Sequence, residues 1–345
     1  MNAHGRNRVT GMAWLTLVIG AISISSPGAE PVSTTPEGRA IAFLSREVPR
    51  WSRENRCFSC HNNGDAARAL YHAVSRGYAV EDHALAETTG WLAEPDRWDR
   101  NGGDGPFSDK RLARVQFAAA LAAAHRAGRV TDPQVLRRAC DRLVRDQAAD
   151  GSWPLEGEDE PGSPAAYGRS LATYLARKAL ESGASDRFRG PIEKADRWLL
   201  GHEVETVIDA AVMLMATSSD RSPRAATVRG RSLDLLRKAQ SRDGGWGPFV
   251  KSPPEVFDTA MALIGLATSA DSHGTRPHLL LGRSFLVARQ QADGGWIETT
   301  RPSGAESYAQ RISTSGWATM ALLATRESAL PAGAGTDPER QAHGR

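Results

Sequence analysis

The chain has 345 residues, of which 40% are hydrophobic and 24% charged, and its formal net charge is +3. That is enough apolar material for one large core or two ordinary ones. Lys and Arg alternate with Asp and Glu and no basic block stands out, which leaves nucleic acid out of the expected partners.

In chain order, Arg6 and Arg8 precede an apolar stretch over 12–25, and small residues follow it. This is the layout of an export signal peptide, read over 1–29. The stretch is shorter than the roughly 20 apolar residues a membrane span needs. The expected product is therefore periplasmic or extracellular, with no membrane span after cleavage. Residues 30–45 read as a linker or lead-in to the first helix, 46–329 as the folded region, and 330–345 as a disordered tail rich in Pro, Gly and charge.

The folded region carries a ladder of tryptophans: Trp51, Trp98, Trp153, Trp198, Trp246 and Trp296, in steps of 47, 55, 45, 48 and 50 residues. Three rungs share the pattern Gln-x-x-Asp-Gly-(Gly/Ser)-Trp: Gln147, Asp150 and Trp153; Gln240, Asp243 and Trp246; Gln290, Asp293 and Trp296. Such periodicity means a repeat architecture. Amphipathic stretches such as RSLDLLRKAQ precede the later rungs, with apolar residues three and four apart. Ala/Leu-rich stretches follow, among them DAARALYHAV from Asp65, DAAVMLMAT from Asp209 and DTAMALIGLAT from Asp258. The unit is helix, turn, helix, six times, and the class is all-α. In the turn, Asp-Gly and Gly-Gly supply positive backbone angles that end a helix. The Gln amide reaches neighbouring backbone groups and the Trp ring covers the joint. Asp65, Asp209 and Asp258 suit helix N-caps; Asp209 and Asp258 double as weak catalytic candidates.

The three motifs resemble the Gln-Trp repeats of the squalene–hopene cyclase and protein prenyltransferase superfamily, and STSGWATMALLAT from Ser313 resembles its last-repeat helix. The resemblance runs over roughly 51–325. It implies the alpha/alpha toroid of terpenoid cyclases, six helical hairpins around a largely apolar cavity, without specifying an activity. Triterpene cyclases of this type protonate an alkene with an Asp-x-Asp-Asp-Thr-Ala cluster. The matching segment EVFDTAMAL places Glu255 and Asp258 at the outer acids but Phe257 at the proton donor, and a phenyl ring donates no proton. The zinc site of the prenyltransferases has no counterpart, because Cys140 lacks the Asp-x-Cys context and reads as a buried apolar residue. Polysaccharide lyases also use helical toroids, and DGSWP has a short likeness to one such group.

Cys57, Cys60 and His61 form Cys-x-x-Cys-His, which resembles c-type cytochromes over those five residues. Two thiols at this spacing reach the two haem vinyl groups while the histidine ligates iron. Attachment takes place outside the cytosol, in agreement with the signal peptide. The leading expectation is an exported toroid with haem c at the mouth of its cavity. It would act in electron transfer, redox sensing or small-molecule chemistry, with a redox partner or a small apolar ligand. Candidate sixth ligands are Met213, Met215, His72, His83, His125 and His202; an open or water-ligated iron is the alternative. A second reading makes Cys57–Cys60 a disulfide in a non-catalytic module for an apolar or glycan ligand or a partner protein. A redox-active dithiol, or a zinc site that includes His61, are further readings of the same residues. A third makes the chain a cyclase-like enzyme with a different acid.

Overall fold

The computed structural model describes residues 34–101, 109–156, 161–269, 272–301, 304 and 306–329. The expected signal peptide (1–29) and tail (330–345) lie outside the described residues. Among the described residues no strand forms; one isolated bridge pairs Trp246 with Glu255. None of these helices is long and apolar enough to cross a membrane.

Helices α1 (Pro36–Asn55), α3 (Asp82–Leu92), α5 (Pro133–Asp146), α7 (Arg189–Gly201), α9 (Pro223–Ala239) and α11 (Ser272–Arg289) form an outer layer. Helices α2 (Ala67–Val74), α4 (Lys110–Arg126), α6 (Arg169–Ser182), α8 (Val207–Ala216), α10 (Val256–Ala267) and α12 (Tyr308–Ala329) form an inner ring. A π-helical segment, Cys60–Ala66, runs directly into α2. Each inner helix packs on the next, and α12 returns to α2 and the π segment to close the ring. The fold is therefore the alpha/alpha toroid of six hairpins that the repeats predict.

Composition explains the two layers. Inner helices are buried nearly all round: in α4 every residue from Val115 to Ala124 is buried, most of them alanine, so neighbours approach closely. Outer helices bury one stripe, as α5 does with Val135, Leu136, Ala139, Cys140 and Leu143. Cys140 is an apolar wedge in that stripe; burial pushes its thiol up to about 12.

The repeat motif is a joint between outer helices. Gln240 Nε2 donates to Gly244 O in its own turn (2.9 Å) and to His278 O of α11 (3.0 Å). Gln147 does the same with Gly151 O and Pro191 O of α7, and Gln290 with Gly294 O and Pro36 O of α1. Gly244 has a φ of +92°, and a Cβ there would meet Leu281 O at 2.5 Å, so only glycine lets the two backbones come this close. The tryptophans lock the same joint from below: the indole N–H groups of Trp153, Trp246 and Trp296 donate to Leu143, Leu236 and Leu286 carbonyls at 2.7–2.8 Å. The Gln290 joint links the last outer helix to the first.

The N-cap expectation for three aspartates is corrected. Thr206 caps α8 and Asp209 is the third helical residue, completing a capping box with it. Glu255 occupies the cap position of α10, and Asp258 lies a turn further in. Asp65 sits inside the π segment. Each carboxylate has found a partner other than its own helix's first N–H groups, or in addition to them.

Candidate functional site

The CFSCH segment occupies the turn between α1 and the π segment. Helix α1 stops at Arg56, in the left-handed region at φ 55°. Trp51 Nε1–H then donates to Cys57 Sγ at 3.2 Å. Phe58 stacks on Trp91 at 4.6 Å, and the Asn101 side chain bonds both its backbone N–H and C=O. Ser59 caps the π segment by accepting from His61 N. Cys60 opens that segment half-buried, and His61 follows with its Nδ1 buried and without a hydrogen-bond partner among the described residues. Burial lowers the His61 pKa from its ordinary value. Two aromatic stacks, Phe58–Trp91 and Trp51–Tyr308, bound the site. Cys57 and Cys60 are both free thiols in this structure, and the Trp51 indole N–H donates to the Cys57 sulfur. Among the described residues no cluster of three or more His, Cys, Asp or Glu is placed to hold a metal ion, so the zinc reading gains no second set of ligands.

The π segment turns polar side chains into the ring. Asn62 bonds Glu47 O and Tyr308 OH; Asn63 bonds Thr88 Oγ1 and the Ser59 N–H. Asp65 is fully buried, and donors converge on it from three other inner helices or the turns before them: Gln116 Nε2 at 3.0 Å, Tyr167 OH and Ser313 Oγ. Burial, and then the Asp65 charge, raise the Tyr167 phenol well above its ordinary value. Arg68, one turn on, faces Asp65 Oδ1 at 3.7 Å and lies over the Trp317 ring at 4.2 Å. π-Helical turns are uncommon and concentrate at functional sites.

Above this floor is a cavity of about 390 Å³. Its walls come from all six inner helices, including Arg68, His72, Ala122, Arg126, Tyr174, Met215, Ile264, Trp317 and Met320. These residues lie in the middle and C-terminal parts of their helices, whereas CFSCH stands at the N-terminal start of the first. Helix α2 alone, Ala67–Val74, sets the rim about 10 Å beyond the end of the π segment. The expectation that CFSCH lies at the mouth of the cavity is therefore corrected: the inner helices run in one direction, and the two features occupy opposite ends of the ring.

The sixth-ligand candidates scatter. Met213 is in the core; Met215 and His72 line the cavity. His125 Nδ1 is bonded to Val130 O at 2.8 Å, His202 Nε2 to Asp209 Oδ1 at 3.0 Å, and His83 is exposed at the start of α3. Asp209 is a structural carboxylate: burial alone would raise it, but hydrogen bonds from His202, Ser170 and Thr206 hold it below its ordinary value.

Phe257, at the acid position of the cyclase-like segment, is fully buried and meets Trp317 edge-on at 5.7 Å. Its neighbour Asp258, also fully buried, receives Arg301 Nη1 at 2.9 Å and Nη2 at 3.3 Å, and the same guanidinium reaches Glu255 at 2.8 Å and Gly162 O. Burial pushes the Asp258 carboxyl up to about 7, against the pull of Arg301. Unfolded, it titrates near 3.9. The folded state therefore binds the extra proton between about pH 4 and 7, and stability falls across that window as pH rises. Relative to Asp258→Asn, the native chain is expected to lose on the order of a few kcal/mol from pH 4 to 7 and nothing further above it. Urea unfolding of both proteins at pH 4, 5.5, 7 and 8 measures the gap; a constant gap would show that Arg301 keeps the carboxylate ionised throughout.

Three features escaped the sequence reading: the partners of Asp65, the Arg301 clamp on Asp258, and the basic lining of the cavity. The last had a visible signal. Arg68, His72 and Arg76 recur every four residues, which is one face of a helix.

A family model, the squalene-hopene cyclase C-terminal domain, matches residues 199–335. Among solved structures the chain is similar to the type II terpene cyclase MstE from Scytonema, with a TM-score of 0.57 and 12% identity, covering 85% of this chain and 97% of that one. It is similar to polysaccharide lyase BACCELL_00875, at TM-score 0.54 and 11% identity over 86% of this chain and 100% of the other. It also matches ent-copalyl diphosphate synthase from Streptomyces platensis, at TM-score 0.50 and 20% identity over 75% of this chain and 50% of the other. No curated protein matches. At these identities the likeness is one of fold, and the neighbours' differing names show how little that fold dictates about chemistry.

Proposed function

We propose that the protein is an exported helical toroid whose Cys57 and Cys60 would hold haem c covalently and whose His61 would ligate its iron, and that it serves in electron transfer or redox sensing. The observation that carries this reading is local. Both thiols and an imidazole with an orphaned, buried Nδ1 stand together at the head of the first inner helix. An unpaired buried ring nitrogen is costly in an apolar setting. Ligation of iron through a ring nitrogen would give such an imidazole a partner.

The residues fit the group in kind. Cys57 and Cys60 supply the two sulfurs for thioether links, Ser59 orients the His61 backbone, and the Trp51–Tyr308 and Phe58–Trp91 stacks supply apolar surface for a macrocycle. Haem contributes reversible one-electron chemistry at iron. What the chain adds is burial, which favours neutral His61 as the ligand form. Cyclase-type proton donation is not part of the proposal, because Phe257 leaves the acid position without a proton to give.

The test is a pyridine haemochrome spectrum. The chain is exported from a host with cytochrome c maturation machinery, beside a Cys57→Ala/Cys60→Ala control. A c-type band that survives denaturation and disappears in the control is the expected result. Absence of haem from the native chain overturns the reading.

A further inference from the structure

We infer that the central cavity, at the end of the ring remote from CFSCH, binds an amphiphilic organic anion. Its carboxylate or phosphate sits among Arg68, Arg76 and Arg126, and its hydrocarbon lies along Met215, Ile264 and Met320. This site is separate from the haem proposal and does not depend on it.

The first argument is an unmet need. Arg68 is 3% exposed and lines the cavity, yet none of its three guanidinium nitrogens has a hydrogen-bond partner among the described residues. Its nearest acceptor, Asp65 Oδ1, is 3.7 Å away, and Asp65 already accepts from Gln116, Tyr167 and Ser313. The Trp317 ring covers one face of the guanidinium without using its N–H groups. Buried donors without acceptors are rare because they have given up water for nothing. A planar fork of donors is the shape that matches a carboxylate or phosphate two oxygens at a time.

The second argument is charge. Arg76 and Arg126 stand exposed at the rim, and no carboxylate lines the cavity beside them. Lys178, also at the rim, is already paired with Glu181. Arg126 is held below its ordinary pKa by burial and then by Arg68, and His72 is lowered to about 3 by burial and by the same three arginines. His72 is thus neutral, and Asp65 is the one carboxylate set against these three arginines among the described ion pairs, so the cluster keeps a net positive field.

The third is shape. The remaining wall is apolar, from Met215, Ile264, Met320 and the Trp317 ring, and about 390 Å³ suits one short chain and a head group. A bare inorganic anion would leave that surface unused.

Calorimetric titration of the full chain with octyl phosphate, octanol and inorganic phosphate separates the contributions. Octyl phosphate is expected to bind one per chain, at least about tenfold more tightly than either other probe. The Arg76→Ala/Arg126→Ala double variant, which changes two exposed rim residues, is expected to lose at least about tenfold in that affinity with its circular dichroism unchanged. Should that variant misfold, Arg126→Gln alone serves, with the same direction expected. Octanol binding as well as octyl phosphate overturns the anion site; inorganic phosphate binding as well overturns the amphiphile. No binding of octyl phosphate, or affinity untouched by the rim variants, overturns the inference altogether.

Discussion

Asp65→Ala is expected to destabilise the fold by about 3–5 kcal/mol, because it strands a buried cation. Asp65 is the sole carboxylate placed against Arg68 among the described ion pairs, and the Arg68 side chain is buried. The same change removes the acceptor of Gln116, Tyr167 and Ser313, three donors that meet nowhere else. Against a typical stability of about 5–15 kcal/mol, the loss is large enough to leave much of the chain unfolded at 37 °C. The decisive measurement is a double-mutant cycle in urea with Arg68→Met. If the stranded cation is the cause, the double variant recovers a substantial part of the loss. Additive losses would place the cost in the hydrogen bonds instead.

Trp246→Ala should cost a similar amount, about 3–5 kcal/mol, for a different reason. The indole is fully buried at the α9–α11 joint, its N–H donates to Leu236 O at 2.7 Å, and the Trp246 backbone N–H donates to the Thr259 hydroxyl oxygen at 2.9 Å. Gly282 passes so close beneath the ring that an added Cβ would sit 2.5 Å from it, so nothing nearby can collapse into the space. Trp198, a rung without the full motif, is only half-buried and stacks on His202. Trp198→Ala is expected to cost less than half as much. Equal losses in thermal unfolding would mean that the motif adds nothing beyond the size of the side chain.

The joints were legible because their chemistry is local. Gln, Gly and Trp lie within seven residues, and each acts on its own turn and the adjacent helix. That sufficed to count six hairpins. The buried polar floor was not legible, because Asp65 and Ser313 are separated by 248 positions and only ring closure brings them together. The same holds for Arg301, 43 positions from Asp258. The aspartates at 209 and 258 were expected to cap their helices, but Thr206 and Glu255 hold the cap positions and both aspartates lie at the third helical residue. Which donors their oxygens choose depends on neighbouring hairpins, which no local pattern encodes. The position of CFSCH relative to the cavity failed for a geometric reason: motif spacing locates a turn along the chain, but the end of the ring it occupies depends on which way the inner helices run.

The closure itself has a topological consequence. Gln290 bonds Pro36 O, Tyr308 bonds Glu47 and Asn62, and Ser313 reaches Asp65, so the last hairpin is the first one's neighbour. An open stack of repeats has terminal units that see one neighbour and can peel away singly. A ring has no terminal unit. Its chain ends fall at an arbitrary seam, and the polypeptide could be cut at another outer turn and rejoined across that seam without surrendering an inter-hairpin contact. Removing one whole hairpin is the opposite case: it leaves five units holding an arc whose open edges no longer meet.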